Sequence, residues 1–105
     1  MTFKELYTKA KAETGIETAM VKFKKTQAPP FCIITPEGAE PVKADDKTVY
    51  NFNKALFTLT TKKRDEKTKT LVEAFFDNNE IDYDVDDEGY YENEGIYETV
   101  YSIIF

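Results

Sequence analysis

The chain has 105 residues, of which 20 are acidic and 14 are basic, so its formal net charge is −6 at pH 7. Hydrophobic residues make up 41% of the sequence, which is enough for one small core, and we expect a single domain over residues 1–105. There is no histidine, one cysteine (Cys32) and one serine (Ser102). These counts exclude a Ser-His-Asp or Cys-His nucleophile, a zinc site of the usual type and an internal disulfide. We predict that the protein is not an enzyme and has no catalytic residue, cofactor or metal; chemistry built on carboxylates, lysine and tyrosine is the less favoured alternative.

The first residues, MTFKELYTKAKAE, lack the apolar centre of a signal peptide, and no apolar run is long enough to span a membrane. We therefore expect a soluble protein that stays in the cytoplasm. Cys32 lies in the apolar run PFCIIT, which favours a buried, inert thiol.

Charge is distributed unevenly along the chain. Residues 1–69 hold all fourteen basic side chains and nine acidic ones, for a net charge of +5, whereas residues 70–105 hold eleven acidic side chains and no basic one. This asymmetry suggests a partner or an oriented assembly, with chance and solubility as the alternative explanation. An acidic chain with one arginine is poorly suited to binding DNA through its phosphates.

The first predicted element is a helix over about residues 3–13. Thr2 and Glu5 have the spacing of a capping box, apolar residues then recur at helical spacing, and Gly15 is a natural stop. The alternation of Ala19 and later apolar residues in IETAMVKFKK next predicts a half-buried strand that includes Val21 and Phe23.

A second strand is predicted over residues 31–35, after Pro29 and Pro30. The stretch PEGAEPVKADDK then predicts a long loop over residues 36–47, because proline cannot donate to a strand ladder and glycine permits turns. Loops of this length are often functional. The charged residues of this loop are Glu37, Glu40, Lys43, Asp45, Asp46 and Lys47.

TVYNFNKALFTLTT predicts a long strand over about residues 48–61, and its apolar residues fall on both faces near the end, which suggests a central strand covered on both sides. A second helix is predicted over about residues 66–78, with Asp65 as a candidate cap. One helical stripe is formed by Leu71, Val72, Phe75 and Phe76.

The acidic stretch IDYDVDDEGYYENEG predicts a strand with one buried and one solvated face. Its apolar positions are Ile81, Tyr83 and Val85, and its acidic positions are Asp82, Asp84 and Asp86. A turn is predicted at Asp87–Gly89, followed by a last strand over about residues 95–105. The resulting order, α-β-β-β-α-β-β, predicts an α+β fold in which two helices pack on a largely antiparallel sheet.

Three other interpretations of the acidic stretch are weaker. A calcium loop counted from Asp82 has Asp87 where glycine is required and Asn93 where the closing glutamate is required. Catalytic carboxylates would need burial, whereas a solvated strand face leaves them exposed. Mimicry of DNA is chemically reasonable, but the first two thirds of the chain is basic.

Several stretches together resemble the small head–tail connector proteins of long-tailed bacteriophages and prophages, of the tail-terminator or tail-completion kind. These stretches are PPFCII, ADDKTVY, TLTTKKRDEKTKTLVEAFFDNNEIDYD and YETVYSIIF, and the resemblance extends over about residues 2–105. They are patterns of structure and polarity, and they carry no active site.

The resemblance implies a structural homo-oligomer of the virion, commonly a sixfold ring, that binds tail-tube and head-connector proteins and no membrane. DNA would pass through such a ring without sequence-specific binding. The loop of residues 36–47 and the row Asp82, Asp84 and Asp86 are the interface candidates, and that row would face either a neighbouring subunit or the lumen. The alternative function is a small acidic inhibitor or nucleic-acid mimic that binds a host enzyme.

Overall fold

The computed structural model describes residues 1–44 and 47–105, and the side chains of residues 1–37 and 52–105. Two helices and a five-stranded sheet alternate in the predicted order α-β-β-β-α-β-β, which confirms the α+β class. The elements are α1 (Phe3–Thr14), β1 (Glu17–Met20), β2 (Phe31–Ala44), β3 (Lys47–Thr61), α2 (Glu66–Asn78), β4 (Asp82–Tyr91) and β5 (Ile96–Ile104). The strand order is β1-β2-β3-β5-β4; β1 pairs with β2 in parallel, and every other pair is antiparallel.

Local sequence signals account for both helices. Thr2 and Glu5 close the predicted capping box: the Glu5 amide donates to Thr2 Oγ1 at 3.1 Å and the Thr2 amide donates to Glu5 Oε1 at 3.2 Å. Gly15 ends α1 in the left-handed conformation, with its amide donating to the Lys11 carbonyl at 3.1 Å. Asp65 caps α2 by accepting from the Thr68 amide at 3.1 Å, as predicted.

The core lies between the two helices and one face of the sheet. The strand register aligns buried side chains across the three central strands in the rows Cys32–Leu59–Thr99, Ile34–Phe57–Tyr101 and Ala55–Ile103. The helices contribute the buried residues Leu6, Ala10, Val72, Phe75 and Phe76 to the same cluster. Since side chains alternate between the two faces of a strand, the helices share one face, and we call it the helix face.

The expectation that β3 is covered on both sides is met only in part: on the side away from the helices Thr60 is buried, whereas Leu56 and Thr58 are half-buried. Within the described chain, no helix lies over the opposite side of the sheet, which we call the open face. Leu56 is on that face and is half-buried, whereas its neighbours Ala55 and Phe57 are fully buried on the helix face. Leu71 is also misassigned by the sequence pattern, because 46% of it is exposed on the outer side of α2.

The predicted loop over residues 36–47 is also wrong. β2 continues to Ala44 and pairs with β3, and two register shifts, at Pro36/Gly38 and Val42/Lys43, accommodate the irregular residues. Bulges of this kind let proline and glycine remain in a strand. β1 pairs with β2 only as far as Ile34, so residues 38–44 and 47–53 form a two-stranded ribbon beyond the five-stranded sheet.

The first strand is shorter than predicted and buries a different residue. β1 ends at Met20, because Val21 adopts a φ of 67° that breaks the extended chain. Thr18, not Ala19, is buried, and its hydroxyl is satisfied by donating to the Ile16 carbonyl at 2.9 Å. Phe23 lies outside the strand and packs edge-on against Phe31.

The turn in the acidic region also lies later than predicted. β4 runs through residues 87–89 to Tyr91 and turns over residues 92–95. Gly95 makes this turn with a φ of 64°, its amide donating to the Tyr91 carbonyl at 2.9 Å. Gly89 stays inside the strand, where it lies opposite Glu98.

No helix in the described part of the chain has the length and apolar character needed to cross a membrane.

Candidate interaction surface

The open face of the sheet carries a central group of aliphatic side chains. Register places Ile33 opposite Thr58 and Thr58 opposite Val100, and places Leu56 opposite Ser102 in the next row. All of these side chains are half-buried. We define the apolar centre of the open face as Ile33, Leu56, Val100 and Ile104. No described helix covers this centre, and its aliphatic groups stay partly exposed. The connection between β1 and β2 reaches the same face at Phe31, against which Phe23 packs edge-on.

An acidic margin borders this apolar centre on its β4 side. Asp82 lies opposite Ile104, and Asp84 lies opposite Ser102, so both carboxylates are on the open face and exposed, as predicted. The third predicted member, Asp86, is the extra residue at a register shift between Val85 and Asp87. Beyond that bulge, Asp87 is the residue that lies opposite Val100 on the open face. This places Asp87, rather than Asp86, in the acidic row.

Glu98 completes the acidic margin from the neighbouring strand, β5. It lies opposite Thr60 on one side and Gly89 on the other. Partial burial raises the pKa of its carboxyl group, and the nearby carboxylates of Glu94 and Asp87 raise it further. The neighbouring negative charges therefore disfavour ionisation of Glu98. We define the acidic margin as Asp82, Asp84, Asp87 and Glu98.

The other side of β4 is attached to α2 by polar contacts. Lys69 Nζ on α2 lies 3.0 Å from Glu88 Oε2, and the two side chains are only 14% and 23% exposed. The hydrogen bond from Lys69 lowers the pKa of the Glu88 carboxyl group, and the same contact raises the pKa of the Lys69 ammonium group. On the neighbouring strand, β5, the Tyr101 hydroxyl donates to Glu73 Oε2 on α2 at 2.8 Å. The first contact attaches β4 to α2, and the second attaches β5 to α2.

Three of the other predicted candidates, Glu40, Lys43 and Lys47, lie in the ribbon. Glu37 is exposed and stands at the register shift between Pro36 and Gly38. Glu40 pairs with Phe52 in the ribbon, and Lys43 pairs with Thr48. Lys47 pairs with Ala44, while Asp45 and Asp46 lie outside the described residues.

Register relates the ribbon to the acidic margin. Gly38 at the base of the ribbon lies opposite Lys54, Lys54 opposite Ile104, and Ile104 opposite Asp82. The ribbon, formed by β2 and β3, therefore extends from the end of the sheet at which Asp82 lies, and β5 separates it from β4. The two sets of predicted residues share one end of the molecule but do not form one cluster.

The single cysteine of the chain lies inside the core. Cys32 is fully buried, and burial raises the pKa of its thiol to about 12, so it stays protonated at neutral pH, as expected for an inert thiol. Among the described residues, no group of three or more acidic or cysteine side chains could hold a metal ion.

The sequence analysis did not predict the apolar centre of the open face. A signal for it was present, because Leu56 breaks the strict alternation of β3 and because β5 ends in a nearly continuous apolar run. Both features fit a sheet with apolar groups on two faces. The error was to expect that this second face is covered.

Comparison with known proteins adds no assignment: no family model matches the chain, and no curated protein matches it.

Proposed function

We propose that this chain is a structural assembly protein of a long-tailed bacteriophage or prophage, of the tail-terminator or head–tail joining kind. It acts as one subunit of a homo-oligomeric ring, with six subunits as the expected number, and it contacts tail-tube and head-connector proteins in the virion. DNA passes through the ring without sequence-specific binding. The phage assignment rests on the resemblance of the sequence patterns.

The observation that best supports an assembly role is the uncovered apolar centre of the open face. A group of half-buried aliphatic side chains bordered by charged residues is typical of surfaces that meet another protein. Here the apolar centre is bordered by Asp82 and Asp84 on β4 and by Glu98 on β5.

The ribbon is a second feature that supports assembly. A two-stranded ribbon is marginally stable alone in water. Asn53 at its base exchanges backbone hydrogen bonds with Phe105, but among the described residues no third strand pairs with residues 38–44 or 47–51. Strand edges of this kind are templates for pairing with another chain. A ring subunit would use the ribbon to reach its neighbour or the tube below it.

The acidic margin favours one alternative, a small acidic inhibitor or nucleic-acid mimic. Asp82, Asp84 and Asp87 form a row of carboxylates along one strand, and a basic DNA-binding surface on an enzyme could bind such a row. Duplex DNA would compete with a mimic of this kind for its enzyme, whereas it would leave the mass of a ring unchanged.

The mass of the purified chain in solution, measured by native mass spectrometry and light scattering, tests the proposal. We expect a hexamer or a concentration-dependent series that ends in a closed ring. A ribbon-shortened variant, in which an Asn-Gly turn replaces residues 40–52, tests the role of the ribbon. This variant keeps the pair Ala39 and Asn53 and leaves the described buried core intact, so we expect a cooperative thermal melt but no ring.

The second test is complementation of a phage that lacks its own copy of this gene. We expect the unchanged chain to restore infectious particles and the ribbon-shortened variant to fail. A chain that stays monomeric at every concentration and restores no particles would refute the assembly role. In that case, capture of a DNA-handling enzyme that duplex DNA displaces would favour the acidic mimic.

A further inference from the structure

The outer side of α2 carries a second uncovered apolar surface. Leu71 is 46% exposed there, and a shallow groove beside it is lined by Lys67, Thr70, Ala74 and Glu66. Leu71 does not belong to the buried cluster that joins the helices to the sheet. The lining of this groove is largely apolar, because Leu71 and Ala74 lie together with the aliphatic stem of Lys67, so the groove can receive an apolar side chain of another molecule.

The residues next to this surface are mainly basic. The segment before α2 contains Lys62 and Lys63, both exposed, and Lys67 follows on the first turns of the helix. Arg64 is exposed as well, although it is already paired with Glu66. We define the α2 outer surface as Lys67, Leu71 and Ala74. Lys62 and Lys63 precede it in the chain and line a separate groove with Pro29 and Pro30.

The α2 outer surface and the open face are complementary in two respects. Each has an apolar centre; Lys67 lies beside the one on α2, where the only other charged residue described in the groove, Glu66, is paired with Arg64, while the other is bordered by the acidic margin. They also lie on opposite sides of the domain, because α2 covers the helix face of the sheet and its outer side points away from that sheet. One subunit therefore presents both surfaces at once, as a heterologous, head-to-tail contact requires.

From this complementarity, we propose that the open face of one subunit binds the α2 outer surface of a second copy of this chain. Leu71 packs on Leu56 and Val100 of the neighbour, and Lys67 lies beside the acidic margin. The proposal rests on the proposed function, because it names the two surfaces by which a ring of this chain would close. The opposite charges fix the register and speed association more than they add affinity.

The open face is large enough for such a contact. Five strands spaced about 4.8 Å apart span about 19 Å, and the nine residues of β5 span about 30 Å. The projected area is therefore roughly 570 Å², and side-chain relief increases the accessible area. A stable protein interface buries about 800 Å² of accessible surface on each partner. The open face therefore offers an area of the same order as such an interface needs.

Two variants separate the two surfaces. Leu56→Glu places a carboxylate in the apolar centre, and Leu71→Glu places one on the α2 outer surface. We expect each to weaken self-association by at least about tenfold, the change produced by losing about 1.4 kcal/mol at an interface. Matched controls are Val85→Glu and Ala12→Glu, which change exposed side chains outside both surfaces. These should assemble as the unchanged chain does, and thermal melts check that all four variants fold.

Mixing the two interface variants in equal amounts gives the decisive measurement. The Leu71→Glu subunit keeps an intact open face, and the Leu56→Glu subunit keeps an intact α2 outer surface, so the mixture should form one-to-one heterodimers. Assembly should stop at the heterodimer. The two surfaces left unbound are the α2 outer surface of the Leu71→Glu subunit and the open face of the Leu56→Glu subunit, and each carries a glutamate. Native mass spectrometry distinguishes these heterodimers from homodimers when one variant is labelled with ¹⁵N.

Other outcomes of these experiments distinguish failure of this inference from failure of the proposed function. If the unchanged chain forms rings but the mixed variants stay monomeric, other surfaces form the ring, and only this inference is overturned. If Leu56→Glu blocks assembly while Leu71→Glu does not, the open face binds something other than α2, and the inference is again overturned. If the unchanged chain never associates, the proposed function fails together with the inference.

Discussion

Replacing Phe76 with alanine is the sharpest test of how the helices are held on the sheet. Phe76 is fully buried, and its ring centroid lies 5.1 Å from that of Phe57, 5.0 Å from Tyr83 and 5.2 Å from Tyr101. It therefore joins α2 to three different strands. Removing the ring loses a transfer free energy of about 1.5–3 kcal/mol, and the cavity among these neighbours brings the total to about 3–5 kcal/mol.

Urea denaturation followed by far-ultraviolet circular dichroism measures this loss. With an m value of about 1.5 kcal/mol/M, a loss of about 4 kcal/mol lowers the midpoint by roughly 2.7 M. Leu71→Ala is the control, because it truncates a leucine of the same helix on its exposed side, where we expect a loss below about 1 kcal/mol. If Phe76→Ala cost less than about 1 kcal/mol, or no more than Leu71→Ala, the packing of α2 described here would be wrong.

Three further outcomes are expected. Glu88→Gln should reduce the free energy of unfolding by about 1–3 kcal/mol at pH 7, because Lys69 is left in a mostly buried site without its ionised partner. Since the folded-state pKa of Glu88 is lowered, the difference from the unchanged chain should be full above the ordinary glutamate pKa of about 4.3 and should vanish as the pH falls through the folded value; a difference independent of pH would contradict the ion pair. Cys32 should resist a thiol reagent at pH 8 and react on addition of denaturant, because its thiol is buried and its pKa is raised to about 12; rapid labelling of the native protein would show that the core is open. Millimolar calcium should leave the Tm unchanged, since a ligand that binds only the folded state raises the Tm, and a rise of several degrees would restore the calcium interpretation of the acidic stretch.

The helices and the fold class were predictable from the sequence because their signals are local. The capping box at Thr2 and Glu5, the stop at Gly15 and the cap at Asp65 each involve residues a few positions apart, so no knowledge of the rest of the chain is needed. The predicted bounds of both helices are correct to within one residue. The alternation in the acidic stretch likewise placed Asp82 and Asp84 on a solvated strand face, as the structure has them.

The errors concern features that depend on pairing between distant residues. Proline and glycine after Thr35 predicted a loop, yet pairing with β3 holds these residues in a strand with bulges. The bulge in β4 is likewise a property of its register with β5, and it puts Asp87 where the alternation predicted Asp86.

Tertiary structure alone decided which surfaces remain uncovered. A pattern of apolar residues on both sides of β3 indicates that both faces avoid water, but it does not say what covers each face. Helix placement answers that question: α1 and α2 pack on the same face, and Leu56 and Val100 are left on the other. The amino-acid sequence by itself thus determined both helices, the order of the elements and the solvated position of Asp82 and Asp84, because these follow from short-range periodicity and capping. The open face and the exposure of Leu71 follow from long-range packing, which no local pattern encodes.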